Sequence, residues 1–171
     1  MNNKLFKDIS IRGRVAYSIK CLQIYTTAKY PNVNYKEILD FASRITDDSD
    51  YIDESAMAYM EIIPEYLYEF NNYLDADFDY ITEEQFNNFR NIISNNDEEL
   101  NKIMKSIYDI TMEYCYEAME PGAPRTLPYL KLINEILINN SLSLPDINNF
   151  ISFSFNINDG WGKHIKQSEY L

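Results

Sequence analysis

Glycine and proline are scarce: four Gly and six Pro in 171 residues leave too few turn-forming positions for a many-stranded β architecture. Histidine is nearly absent. His164 stands alone between Lys163 and Lys166, so any Ser/His/Asp or Cys/His nucleophile would have to use this one ring. No His-Glu-x-x-His, Cys-x-x-Cys or Gly-rich phosphate loop occurs, which removes the common zinc, redox and nucleotide motifs. The two cysteines, Cys21 and Cys115, fall on apolar helical patterns and read as reduced, buried thiols, with a disulfide or a reactive thiol as the alternative. No run approaches the ~20 apolar residues of a membrane span. The opening MNNKLFKDIS lacks an apolar leader segment, so the expectation is a soluble, cytoplasmic chain.

Positive charge is missing from the middle of the chain. Residues 1–46 carry eight Lys/Arg against three Asp/Glu, residues 47–120 carry three against twenty, and residues 121–171 carry four of each, for a net charge of −12. Such a balance disfavours direct nucleic-acid binding, which needs a basic footprint. It favours solubility and the steering of basic partners.

Abundant apolar residues at helical spacing predict an all-α, single-domain bundle over residues 1–171, with an extended C-terminal tail and loose ends over the first eight or so and last six residues. The longest unbroken period runs from Asn96 to Met119, where Leu100, Ile103, Ile107, Ile110, Tyr114 and Ala118 recur at three- and four-residue steps. An Asn96–Glu99 capping box opens it and Pro121-Gly122 stops it, making it the expected central strut.

Ahead of it, a helix is predicted from Ile11 to Tyr30, with Val15, Ile19, Leu22 and Ala28 inward and Arg12 and Arg14 solvated on its first turn. Gly13 in that turn suits close packing. A second helix is expected from an Asn34–Glu37 box to Thr46, a third around Ala56–Ile63 capped by Asp50 or Asp53, and a fresh start at Pro64 running on to Tyr73. Thr82 with Gln85 caps a short helix, and Leu127 to Asn139 forms the last long one. From Ile151 to Ile157 the apolar period drops to two, which is strand-like without an evident partner strand.

Two acidic runs draw the functional reading: Asp47, Asp48, Asp50, Tyr51, Asp53 and Glu54, then Asp75, Asp77, Asp79 and Tyr80 with Glu83 and Glu84. Each alone reads as a solvated loop with helix caps; together they define a candidate acidic interaction face. Asp75, Asp77 and Asp79 match the first spacings of a calcium loop, but Tyr80 stands where a glycine must turn and Phe86 where a bidentate glutamate belongs. No metal or other cofactor is expected. Glu113 and Glu117, one turn apart, lack the histidine partners of a metal-carboxylate bundle. Tyrosines 51, 59, 66, 68, 73 and 80 crowd the same region and suit a contact surface. A chain rich in Asn, Ile, Lys and Tyr is also what an AT-rich genome encodes. Trp161, between Gly160 and Gly162, reads as a core-capping aromatic or as a contact anchor.

Three segments carry a resemblance: Gly13-Arg-Val-Ala-Tyr with Cys21-Leu22, Ile62-Ile-Pro-Glu-Tyr-Leu, and Phe153-Ser-Phe leading to Asp159-Gly-Trp-Gly. In these the chain resembles a mostly α-helical family of immunity proteins from bacterial polymorphic toxin systems. The resemblance implies a small cytosolic, non-catalytic protein that binds and neutralises a cognate toxin. It implies no toxin-contacting positions. A basic partner, such as a nuclease, would complement the acidic face. The competing classes are a metal-dependent helical-bundle enzyme and a helical scaffold or regulatory protein.

Overall fold

In the computed structural model, which describes residues 3–47, 52–93 and 96–171, the chain forms eight α-helices joined by turns and short 3-10 segments, with no strand among the described residues. They are α1 (Asn3–Lys7), α2 (Ile11–Lys29), α3 (Lys36–Asp47), α4 (Ile52–Met60), α5 (Pro64–Leu67), α6 (Glu83–Ile92), α7 (Glu98–Met112) and α8 (Leu127–Asn139). Helix α2 packs on α7, α3 and α8, while α7 also meets α4 and α8.

The longest element is α2, not the helix after Asn96. Residues 11–19 of α2 are buried on every side, so α2 is the core helix and α7 its principal neighbour. Helix α7 stops at Met112, a length of about 22 Å at 1.5 Å per residue. Its last turn carries no basic residue, and Glu113, Glu117 and Glu120 would crowd the negative end of the helix dipole. Leaving the helix buries Tyr114 and turns Tyr116, Glu117 and Ala118 to solvent. Arg125 then gathers the carboxylates, with Nη1 2.8 Å from Glu117 and Nε 3.4 Å from Glu113, and lies 4.3 Å from the Tyr114 ring centroid. Glu113 and Glu117 are therefore tied to an arginine.

The cap of α7 is Asp97 rather than Asn96. Its Oδ1 accepts from the amides of Glu99 and Leu100, and its carboxylate accepts from the hydroxyls of Tyr25 and Tyr30. Burial works against this charge, but those hydrogen bonds outweigh it and hold the carboxyl below the usual carboxylate range. Glu99 turns instead to Asn140 and Tyr25. The Asn34–Glu37 box is likewise replaced. Asn34 closes a local turn onto the Lys36 amide, while Glu37 accepts from Asn88. Pro64 does occupy the first position of α5, but that helix ends at Leu67. The following segment is held by Arg90, whose Nη1 donates to the carbonyls of Phe70 and Asn71. The Thr82–Gln85 box forms as the pattern predicts.

The first turn of α2 departs most from expectation. Arg14 is fully buried, and no ion pair involves it among the described residues. Its Nε donates to Ile9 O (2.9 Å), Nη2 to Phe6 O (2.7 Å) and Gly122 O (2.8 Å), and Nη1 to Ala123 O (2.8 Å) and Thr126 Oγ1 (2.6 Å). Burial draws this guanidinium down to about 10, so it stays cationic at neutral pH. Arg12 is buried too, with Nη1 directed at Gly162 O. Ala28, by contrast, is exposed.

The 151–157 segment is a turn-rich stretch with a single antiparallel bridge, Ile9 to Ser154, formed by Ser10 N to Phe153 O and Phe155 N to Asp8 O. Phe153 is buried while Ile151 and Ile157 face solvent. The chain then turns through Asn158 and Asp159 at positive φ, packing Trp161 partly against the core. Tyr170 is buried, its hydroxyl donating to Ser43 Oγ at 2.9 Å.

Two of the segments that carry the resemblance meet here. A Cβ at Gly13 would lie 2.6 Å from Ile9 Cγ2 and 2.8 Å from Phe153 Cβ, and one at Gly162 would strike Ser10. Two contacts under 3.0 Å put the overpacking cost at the upper end of about 1–3 kcal/mol, so after the roughly 1 kcal/mol a helix gains from Ala over Gly the change Gly13→Ala is expected to destabilise the fold by about 1–2 kcal/mol. Urea unfolding should read a lower midpoint; an unchanged or higher one would contradict this packing.

Both thiols are free. Cys21 is buried, and desolvation raises it well above its ordinary value. Cys115 is half-buried, donates to Thr111 O, and is pushed up to about 11 by burial and then by the charge of Asp53.

Candidate functional site

No Lys or Arg stands between Arg44 and Arg90, so the segment that forms the end of α3, α4, α5 and the start of α6 carries only negative side-chain charge. Asp53 and Glu54 lie in the first turn of α4, where carboxylates suit the positive end of the helix dipole. Asp77 and Asp79 lie in the loop that joins the 3-10 turn Tyr73–Asp75 to α6.

That loop is held from beneath. Phe78 packs its ring against Tyr66, Phe70, Tyr73 and Phe86 at centroid distances of 5.7, 6.1, 5.4 and 5.2 Å. With Phe78 turned in, its neighbours Asp77 and Asp79 are exposed. Glu61, buried at the end of α4, completes the support: Oε1 accepts from Asp79 N at 2.8 Å, and Oε2 from Tyr80 N and Ile81 N at 3.0 Å each. Tyr73 donates its hydroxyl to Ile81 O across the loop.

Glu61 thus joins the end of the helix that carries Asp53 and Glu54 to the loop that carries Asp77, Asp79 and Tyr80. Tyr80 is 42% exposed, and partial desolvation followed by the fields of Glu54, Asp79, Glu61 and Asp53 push its phenol upward. Tyr66 responds in the same sense, first to burial and then to Glu61, Glu69, Asp77 and Asp79. Glu83 and Glu84 follow in the exposed first turn of α6. No ion pair engages Asp53, Glu54, Asp77, Asp79, Glu83 or Glu84 among the described residues, so their charge is offered to solvent.

Asp47 and Asp75 have other attachments. Asp47 closes α3 beside the C-terminal segment, lining a groove with Asp40, Ser43, Arg44 and Gln167. Asp75 accepts from the backbone and side-chain amides of Asn72, which closes the Tyr73–Asp75 turn. Asp48, Asp50 and Tyr51 lie outside the described residues. Among the described residues no group of three or more His, Cys, Asp or Glu is placed to hold a metal ion, and no helix is long and apolar enough to cross a membrane.

Two contributors escaped the sequence reading. Glu61 had a signal: it is a lone carboxylate inside the apolar run from Ala58 to Pro64. Leu74, 85% exposed in the Tyr73–Asp75 turn that leads into the loop, had none, because apolar residues are read inward by default. No family model matches the chain, and no curated protein or solved structure matches it.

Proposed function

We propose that this protein acts by binding rather than by catalysis: it docks its acidic, tyrosine-bearing face onto the basic surface of a cognate bacterial toxin domain and blocks it. The observation that carries the reading is the exposed carboxylates of Asp77 and Asp79 beside exposed Tyr80, which make no ion pair among the described residues and stand on a loop held by Glu61 and Phe78. Unpaired carboxylates raise the encounter rate with a cationic partner, and a fixed loop loses little entropy on docking. Tyr80 and Leu74 supply apolar area inside that field. The resemblance to immunity proteins gives the partner's class, and a nuclease, basic where it grips phosphate, fits the charge. The neutralising complex would form in the cytoplasm of the producing cell.

Co-expression with the toxin gene adjacent in the genome tests this directly. Rescue of growth with a co-purifying complex is the expected result; persistent toxicity without a complex sinks the proposal. Within such a complex, the triple change Asp53→Lys, Glu54→Lys, Asp79→Lys is expected to slow association by about tenfold and flatten its salt dependence. Stopped-flow rates that match the parent at low salt would remove this face from the interface.

A further inference from the structure

Beside the acidic loop, where the end of α4, α5 and α7 meet, Met60, Ile63, Tyr66 and Tyr108 line a cavity of about 230 Å³ with Glu65 and Glu69 also lining it. This volume lies below the roughly 300–1,000 Å³ of small-molecule sites, which suits one inserted side chain better than a metabolite. The carboxylates of Glu65 and Glu69 are exposed and make no ion pair among the described residues. Lys105, the one basic residue on the lining, is committed elsewhere: its ammonium sits 3.0 Å from Asp109 Oδ1. Tyr66 joins this cavity to the loop, since its ring also meets that of Phe78.

We propose that this cavity is a socket for a single arginine side chain presented by the basic partner. Apolar and aromatic walls accept the methylene stem and the flat guanidinium face, while Glu65 and Glu69 receive its N–H groups. Arginine fits better than lysine because its charge is delocalised, weakly hydrated and able to stack and fork at once. The chain uses the same pairing internally: Arg90 lies 4.7 Å from the Tyr68 ring centroid, and Arg125 lies 4.3 Å from that of Tyr114. The inference rests on the acidic face being a protein-docking surface, and it names the chemistry that anchors there.

The test is a methyl and amide NMR titration of the full chain with hexa-arginine, hexalysine and hexacitrulline peptides. Hexa-arginine is expected to move the Met60 and Ile63 methyl signals saturably, hexalysine to move them less, and hexacitrulline not at all. The exposed double variant Glu65→Gln, Glu69→Gln should keep the parent spectrum and lose the saturable shift. Two results overturn the socket: hexacitrulline shifting the same methyls as strongly, or hexa-arginine shifting only the amides of Asp77, Asp79, Glu83 and Glu84. The second outcome would leave the acidic docking face standing. Failure of the toxin co-expression would instead leave the peptide result intact, so the two proposals fail separately.

Discussion

Arg14→Met is expected to lower the stability of the fold by about 3–5 kcal/mol. Methionine fills much of the space but donates nothing, so the carbonyls of Ile9 and Gly122 lose their donor, while those of Phe6 and Ala123 keep only longer bonds from Ile9 N at 3.1 Å and from Thr126 N and Oγ1 at 3.3 and 3.1 Å. A buried acceptor stripped of its partner costs about 1–3 kcal/mol, and backbone acceptors cannot be removed by a compensating mutation. Gly122 O is only part-buried and water can recover part of its loss, which keeps the total below a simple sum. The effect is also long-range. Arg14 ties α2 to residues 122–126, the turn that delivers the chain into α8, so both helix contacts loosen together. Arg14→Lys keeps the charge but offers a point of three donors where a fork is needed, and should recover less than half of the loss. Urea unfolding followed by circular dichroism gives the measurement: a lower midpoint at unchanged slope is expected. A midpoint equal to that of the parent would mean that these hydrogen bonds do not tie α2 to the turn before α8.

This arginine marks the boundary of what the sequence could say. Helix α2 itself was legible, as were α8, the Pro64 start and the Thr82–Gln85 box, because periodicity and caps are encoded within one turn of the residue concerned. The fate of Arg14 depends on carbonyls more than a hundred residues away, and no local pattern separates a solvated arginine from one that gathers a distant turn. The same limit explains α7. Its apolar period continues through Tyr114 and Ala118, yet the helix ends at Met112 because Tyr114 and the glutamates after it are claimed by Arg125. The alternation from Ile151 to Ile157 was real as a pattern, but among the described residues the N-terminal segment provides it with one bridge, Ile9 to Ser154. At the candidate site, charge composition found the region, while the hold of Glu61 on the amides of Asp79, Tyr80 and Ile81 is a tertiary fact.

Glu61→Ala is expected to release that loop. One carboxylate holds three consecutive amides, and hydrogen bonds to a charged group contribute about 1.5–3 kcal/mol each, less when they share one acceptor. A combined loss of about 3 kcal/mol corresponds to a roughly hundredfold faster amide exchange at Asp79, Tyr80 and Ile81. The ring cluster around Phe78 should keep the segment near the core, so the change is one of order rather than of global unfolding. Glu61→Gln is the informative control. Its single carbonyl oxygen can serve only part of the nest, so it should fall between parent and alanine, and exchange at these amides equal to the parent in both variants would dismiss the clamp. The consequence for docking follows from charge arithmetic. Removing a buried carboxylate changes the long-range field by one unit in a chain of net charge −12, so association should hardly slow. Dissociation should quicken, because a loop that must be ordered on docking returns that entropy on release. A complex whose lifetime is unmoved while the three amides lose protection would place the docking surface away from this loop.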